Sequence, residues 1–279
     1  MVGERRFVPR LLMTVLLYVF VVFLALPFFW LIFTSFKSSS EIMLQGGTFL
    51  PRQVTFENYV SAVRSEGIIG SALNTLKVSI ASALLTLVVA TPAAYVIARR
   101  PKGINRPVVG WILVSQAFPL ILIIIPLFLI LNRLSLGNTH LGLVLVYVVW
   151  SLPFVIWMLR GYIQNIPVEI ELAAAIDGAN HLRIITQILI PLILPGLVAT
   201  GLYAFINAWN EFFFALVLLK SPELLTIQIN LARFRGIEGL ARWGPLAAGS
   251  VIATIPTLIL FGFIQRGLVS GLLSGGVKQ

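Results

Sequence analysis

LLMTVLLYVFVVFLALPFFWLIFTSF, Leu11 to Phe36, contains no Lys, Arg, Asp or Glu. A helix that crosses the roughly 30 Å of bilayer hydrocarbon needs about 20 predominantly apolar residues, and this run is longer. Charge-poor runs of similar length recur along the chain, which predicts spans over 11–36, 70–98, 107–132, 141–160, 195–219 and 243–265 in a single domain of residues 1–279. The expected fold class is an all-α membrane protein with six transmembrane helices. The first run follows Arg5, Arg6 and Arg10 as a signal-peptide core would. It exceeds the roughly 7–15 residues of such a core, and no small-residue cleavage site follows. It is expected to be a retained span.

Composition excludes the alternatives. Of 279 residues, 58% are hydrophobic and only 11% are charged, against about 25% charged in ordinary soluble domains. The net charge of +10 is dispersed between the apolar runs, which is the pattern of topogenic charges flanking spans and not of a nucleic-acid patch. The chain has no Cys and two His, His140 and His181, so thiolate metal sites and thiol nucleophiles are excluded and no cofactor is expected. None of Lys37, Lys77, Lys102, Lys220 and Lys278 follows a Gly, so the Gly-Lys-Ser/Thr end of a P-loop is absent. Arg5, Arg6 and Arg10, with Arg99, Arg100, Lys102 and Arg106 in the next inner loop, orient both termini to the cytoplasm.

The inner connection over 161–195 is neither a short basic turn nor a free polar linker. It reads Ile166-Pro-Val-Glu-Ile-Glu-Leu-Ala-Ala-Ala-Ile-Asp-Gly-Ala179. Pro167 suits a first helical turn, Glu169 and Glu171 suit the positive end of the helix dipole, and the Ala run favours helix. Gly178 suits a left-handed residue that ends it. Ile166, Ile170, Ala173 or Ala174, and Asp177 share one face. The result is a short rigid peg, which physics alone leaves open as a partner-docking element or a membrane-surface hairpin. Pro191 and Pro195 then set the angle at which span five departs. The outer connections, 37–70 and 220–242, are too long for simple turns, and amphipathic interfacial segments and docking surfaces remain equal readings of them.

Within span five, Asn207, Trp209, Asn210 and Glu211 form a polar and aromatic cluster. An ionisable residue within a span is a functional hypothesis by default, so the cluster is a candidate substrate path. The competing reading is cross-helix bonding, with Glu211 at the outer interface. Asn74, near the outer start of span two, admits the same two readings.

The inner connection resembles the EAA loop of ABC-importer membrane subunits. Ala173-Ala174, Asp177-Gly178-Ala179 and Ile190-Pro191 occupy the places of that pattern, while Leu172 stands where many family members carry Glu. Asn74-Thr75-Leu76, Ala208-Trp209-Asn210-Glu211-Phe212 and the tail from Gln265 to Lys278 are similar to the carbohydrate-uptake, maltose-type branch. The resemblance implies a permease that performs no covalent chemistry. It also implies a coupling helix in which Glu169, Glu171, Ala173, Ala174, Asp177, Gly178 and Ala179 meet a cytoplasmic ATPase dimer. Its further partners would be a second permease subunit in a heterodimer, an extracytoplasmic solute-binding protein and the lipid bilayer of a bacterial or archaeal inner membrane. A membrane enzyme would need an in-membrane catalytic constellation, but the only Asp is Asp177 and neither His lies in a span core. A lone secondary transporter would show internal repeats and midplane ionisable residues, and only Glu211 approaches that.

Overall fold

The structure, a computed structural model, describes residues 7–43, 48–100, 102–234 and 242–275. The described residues form helices and turns, with no strand among them. Four helical segments are long and apolar enough to cross a membrane: Leu12–Ser35, Ile68–Arg99, His140–Gln164 and Trp243–Gly262. Two bent helix pairs raise the count to six if each is one span: Pro107–Gln116 with Leu120–Arg133, bent by 96°, and His181–Leu192 with Leu194–Asn210, bent by 79°. Contacts divide the chain into two compact units, 1–68 with 231–255, and 69–230 with 256–279.

In the first unit, α1 (Phe7–Ser35) exposes every side chain from Leu12 to Leu24. Such a surface costs nothing in hydrocarbon, where lipid tails replace water. Side-chain bonding gathers at the C-terminal end of α1. Asn58, in α3 (Glu57–Val60), donates through Nδ2 to the carbonyls of Ser35 at 3.0 Å and Lys37 at 2.7 Å, carbonyls that the end of α1 leaves without helical donors. Phe36 packs on Phe56 and Tyr59. Beyond α2 (Ser39–Met43), Glu41 accepts from the Thr48 hydroxyl at 2.7 Å and the Arg52 amide at 3.0 Å. These bonds, led by Thr48, hold its carboxyl below the usual carboxylate range. The stability they contribute is present above the unfolded value and is lost as pH falls through the lowered native one. Arg242 pairs with Glu66 and donates to Ser61 at 2.8 Å.

The second unit holds the larger core. It contains most of α4 (Ile68–Arg99), α5 (Lys102–Gln116), α6 (Leu120–Arg133) and α7 (His140–Gln164). It continues through α8 (Val168–Ile176), α9 (His181–Arg183), a π-helical stretch Ile184–Leu189 and α10 (Ile190–Leu192) to α11 (Leu194–Asn210) and α12 (Phe213–Leu218). Helix α7 is the hub, packed against α5, α11 and α12. Leu143, Val146, Tyr147 and Val148 of α7 bury against Phe214, Ala215 and Leu218 of α12 and Ile124 and Leu131 of α6. Thr139 caps α7 by accepting from the Gly142 amide at 3.0 Å. Two helices, α13 (Ile227–Arg233) and α14 (Trp243–Gly275), pass from one unit to the other.

Two of the expected spans are not continuous helices. The run 107–132 bends after Gln116, where Pro119 takes an extended ψ of 122° that also disfavours helix at its predecessor. The run 195–219 breaks at Glu211 and Phe212, because Glu211 has an extended ψ of 134°. Runs 11–36, 70–98 and 141–160 fall on α1, α4 and α7, and 243–265 falls on α14.

Gly196 opens α11 against the Tyr162 ring of α7, and a Cβ there would lie 2.5 Å from the ring's Cγ. Gly196→Ala should destabilise the protein by about 1–3 kcal/mol through overpacking, read as a lowered melting temperature in detergent. Gly161→Ala, with open space around its Cβ, should leave the melting temperature unchanged or raised.

Candidate functional site

Two regions of the second unit carry the sequence-derived candidates. In the inner connection, α8 is preceded by Pro167 and carries Glu169 and Glu171 in its first turn. Gly178 has φ +85°, a region that excludes most side chains but not Gly. Its amide donates to the Ala175 carbonyl at 3.1 Å and the Ala179 amide to the Ala174 carbonyl at 3.0 Å. That pair of bonds is a Schellman termination, which satisfies carbonyls the helix end would orphan. Asn180 then caps α9 by accepting from the Arg183 amide at 2.8 Å. The peg is therefore closed at its C-terminal end by local chemistry.

Its faces are unequal. Glu171 is buried, while Glu169, Ala173, Asp177 and Gly178 are exposed and Ala174 and Ala179 are half-buried. Leu172 is 58% exposed and Ile176 87% exposed, with Leu182 of α9 at 71%. These side chains give the short helix an openly apolar side. Glu171 turns the other way: it accepts from Arg99 Nε at 2.8 Å and from the Tyr95 hydroxyl at 2.8 Å.

The second region lies at the break between α11 and α12. A cavity of about 300 Å³ is lined by Tyr147, Trp150, Ser151, Asn207, Asn210 and Glu211, with Leu120, Phe212 and Phe213 closing it. Asn207 and Asn210 each donate Nδ2 to the carbonyl four residues back, Tyr203 and Ile206, at 3.0 Å, which leaves their side-chain oxygens as acceptors. Glu211 is committed. Its Oε1 accepts from the Phe214 amide at 2.8 Å, and its Oε2 accepts from the Ala215 amide at 3.1 Å and the Tyr147 hydroxyl at 2.8 Å. The carboxylate caps α12, whose first amides have no helical partner.

The predicted cluster is therefore divided. Trp209 is 1% exposed, stacks on Phe205 with ring centroids 5.7 Å apart, and lies outside the cavity lining; the indole that lines the cavity is that of Trp150. Asn74 is not near it either. Its Nδ2 donates to the carbonyls of Glu223 at 2.7 Å and Leu225 at 3.2 Å, fastening the outer connection. No group of three or more His, Cys, Asp or Glu residues that could hold a metal occurs among the described residues.

Residues 87–273 match the family described as "Binding-protein-dependent transport system inner membrane component". The chain belongs to that family. It is thus a multi-pass inner-membrane permease subunit of an ABC importer. The permease is 50% identical over 230 residues to the ABC-transporter-permease-type ORF1 product of Streptomyces antibioticus, covering 82% of this chain and 100% of that protein. It is 32% identical over 252 residues to the sulfoquinovosyl glycerol transport system permease SmoH of Agrobacterium fabrum, covering 90% and 88% of the two chains. Among solved structures, a chain of a bacterial ABC transporter involved in import of the acidic polysaccharide alginate superposes with a TM-score of 0.80 at 25% identity, covering 95% of the permease and 98% of that chain.

Sequence reasoning missed Arg99, Tyr95 and Tyr147, all of which reach an acid more than sixty residues away. Only the acids gave a signal, because a carboxylate in or beside a span needs partners. Glu211→Ala strands two amides and a phenol, and should cost the permease about 2–4 kcal/mol. Glu211→Gln, which keeps one acceptor oxygen, should cost less. Melting temperatures of the two variants in detergent check the order.

Proposed function

We propose that the permease is one transmembrane half of an ATP-driven sugar importer. It has six spans, over 11–36, 70–98, 107–132, 141–160, 195–219 and 243–265, and both termini are cytoplasmic. A second permease completes the path, an extracytoplasmic binding protein delivers the sugar, and an ATPase dimer on the cytoplasmic side supplies the energy. The substrate class rests on one observation: the cavity at the α11–α12 break is lined by two amide side chains, Asn207 and Asn210, together with the Trp150 indole. That combination suits hydroxyls and the apolar face of a sugar ring. The named substrates of the similar permeases and transporter, sulfoquinovosyl glycerol and alginate, carry sugar rings and agree with it.

On the cytoplasmic side, the 161–195 connection is the coupling element. Glu169, Ala173, Asp177 and Gly178 lie on the exposed part of α8 and its terminating turn, and Leu172 and Ile176 extend that surface. Apolar contact with the ATPase thus takes the place of a charge at position 172. Glu171 instead anchors α8 from within, and Ala174 and Ala179 pack the helix closely at its half-buried side.

Affinity purification of the tagged permease from its host should recover a second multi-span permease and a P-loop ATPase in fixed proportion. In vesicles, ATP should drive uptake of a labelled sugar. Gly178→Pro should abolish uptake, since Pro is locked near φ −65° and this turn needs φ +85°. A lone chain without ATPase, or full uptake by correctly inserted Gly178→Pro protein, would refute the proposal.

A further inference from the structure

Arg99 is the last residue of α4, and Glu171 lies 72 positions further along, in α8. Arg99 donates from Nε to Glu171 Oε1 at 2.8 Å and from a second guanidinium nitrogen to the same oxygen, while Tyr95 donates to Oε2 at 2.8 Å. The two charged side chains are 15% and 9% exposed. The same guanidinium also donates to the Ile166 carbonyl at 3.2 Å, the residue just before Pro167, where α7 leads into α8. Arg99 therefore holds α8 and its entry joint together. A planar guanidinium fork fixes direction as well as distance. Separating a pair withdrawn from water strands a charge, so the two helices move as one.

The outer end of α4 is fastened in the same manner. Asn74 holds the Glu223 and Leu225 carbonyls, Thr75 Oγ1 accepts from the Ile227 amide at 2.8 Å, and Asn230 donates to Ser71 at 3.0 Å. Between Thr75 and Arg99 the chain stays helical, with Pro92 inside it removing one backbone hydrogen bond, over a path of about 36 Å at roughly 1.5 Å per residue. The covalent chain joins α8 only to α7 and, through 177–193, to α11. Side-chain bonds add α4, and through it the outer connection around 219–230.

We propose that α4 is a coupling strut. Arg99, supported by Tyr95, is the positioning residue that ties displacement of α8 to α4, and Asn74 and Thr75 pass it to the outer connection. This rests on α8 being the ATPase-facing helix. Energetic coupling requires an element whose states both sites bias, and it is reciprocal. The same strut carries the docking of a loaded binding protein inward, as a change in ATP hydrolysis.

The test uses the complete complex of both permeases and the ATPase in nanodiscs. The readout is ATP hydrolysis per assembled complex with the loaded binding protein, divided by hydrolysis without it. Arg99→Ala and Glu171→Ala should each lower this ratio about tenfold. The double variant should be no worse than either single one, because all three lose the same clasp. Tyr95→Phe, which removes one hydroxyl at nearly constant volume, should lower the ratio by a smaller factor, and Asn74→Ala should lower it from the other end. A wild-type ratio in assembled Arg99→Ala complexes, or losses that multiply in the double variant, would overturn the strut. A permease that assembles with no ATPase would overturn the importer reading beneath it.

Discussion

A backbone amide left unpaired away from water costs about 1–3 kcal/mol, and the permease breaks an apolar helical run regardless. It does so between α11 and α12 because Glu211 supplies two carboxylate oxygens to the amides of Phe214 and Ala215. The acid is in turn held by the Tyr147 hydroxyl of α7. The break sets the cavity: Asn207 and Asn210 come from the helix before it, Phe212 and Phe213 from the turn and helix after it, and Trp150 from α7. With a continuous helix, α12 would extend along the axis of α11 and would not fold against α6 and α7, where Phe214 and Leu218 now bury. The Glu211 carboxylate is thus committed to closing a helix end, while Asn207 and Asn210 line the cavity beside it.

The inner connection applies the same economy to rigidity. Local bonds terminate α8 at Gly178, and Asn180 starts the next helix, so no flexible linker intervenes. Its exposed side is apolar at Leu172 and Ile176, and its buried acid faces α4. The proposed coupling role needs a stiff body, a contact surface and an anchor, and three different residue classes supply them within twelve positions of sequence.

The parts legible in the sequence were those that local rules decide. Length and absence of charge located α1, α4, α7 and α14, and the spacing Pro167 to Gly178 located α8 with its left-handed end. The bend at Pro119 had a local signal, yet hydropathy outweighed it, because an apolar run reads as continuous whether or not it turns. The break at Glu211 had none: the phenol that completes its cap lies 64 residues away in sequence. Trp209 and Trp150 illustrate the same limit. Both are indoles in apolar surroundings, and only packing decides that Trp209 turns to Phe205 and Trp150 to the cavity. Likewise Glu169 and Glu171 are equivalent at the start of a helix, and the guanidinium of Arg99 distinguishes them.

The exposure of α1 from Leu12 to Leu24 has a separate consequence for how the chain is made. A run this long and this apolar is favourable in hydrocarbon by composition alone. Its depth is set by the match of apolar length to hydrocarbon thickness. One end is tied by side-chain bonds, where Asn58 donates to the carbonyls of Ser35 and Lys37. Membrane thickness thus acts on α1 as an assembly parameter, independent of every contact that builds the cavity or the lever.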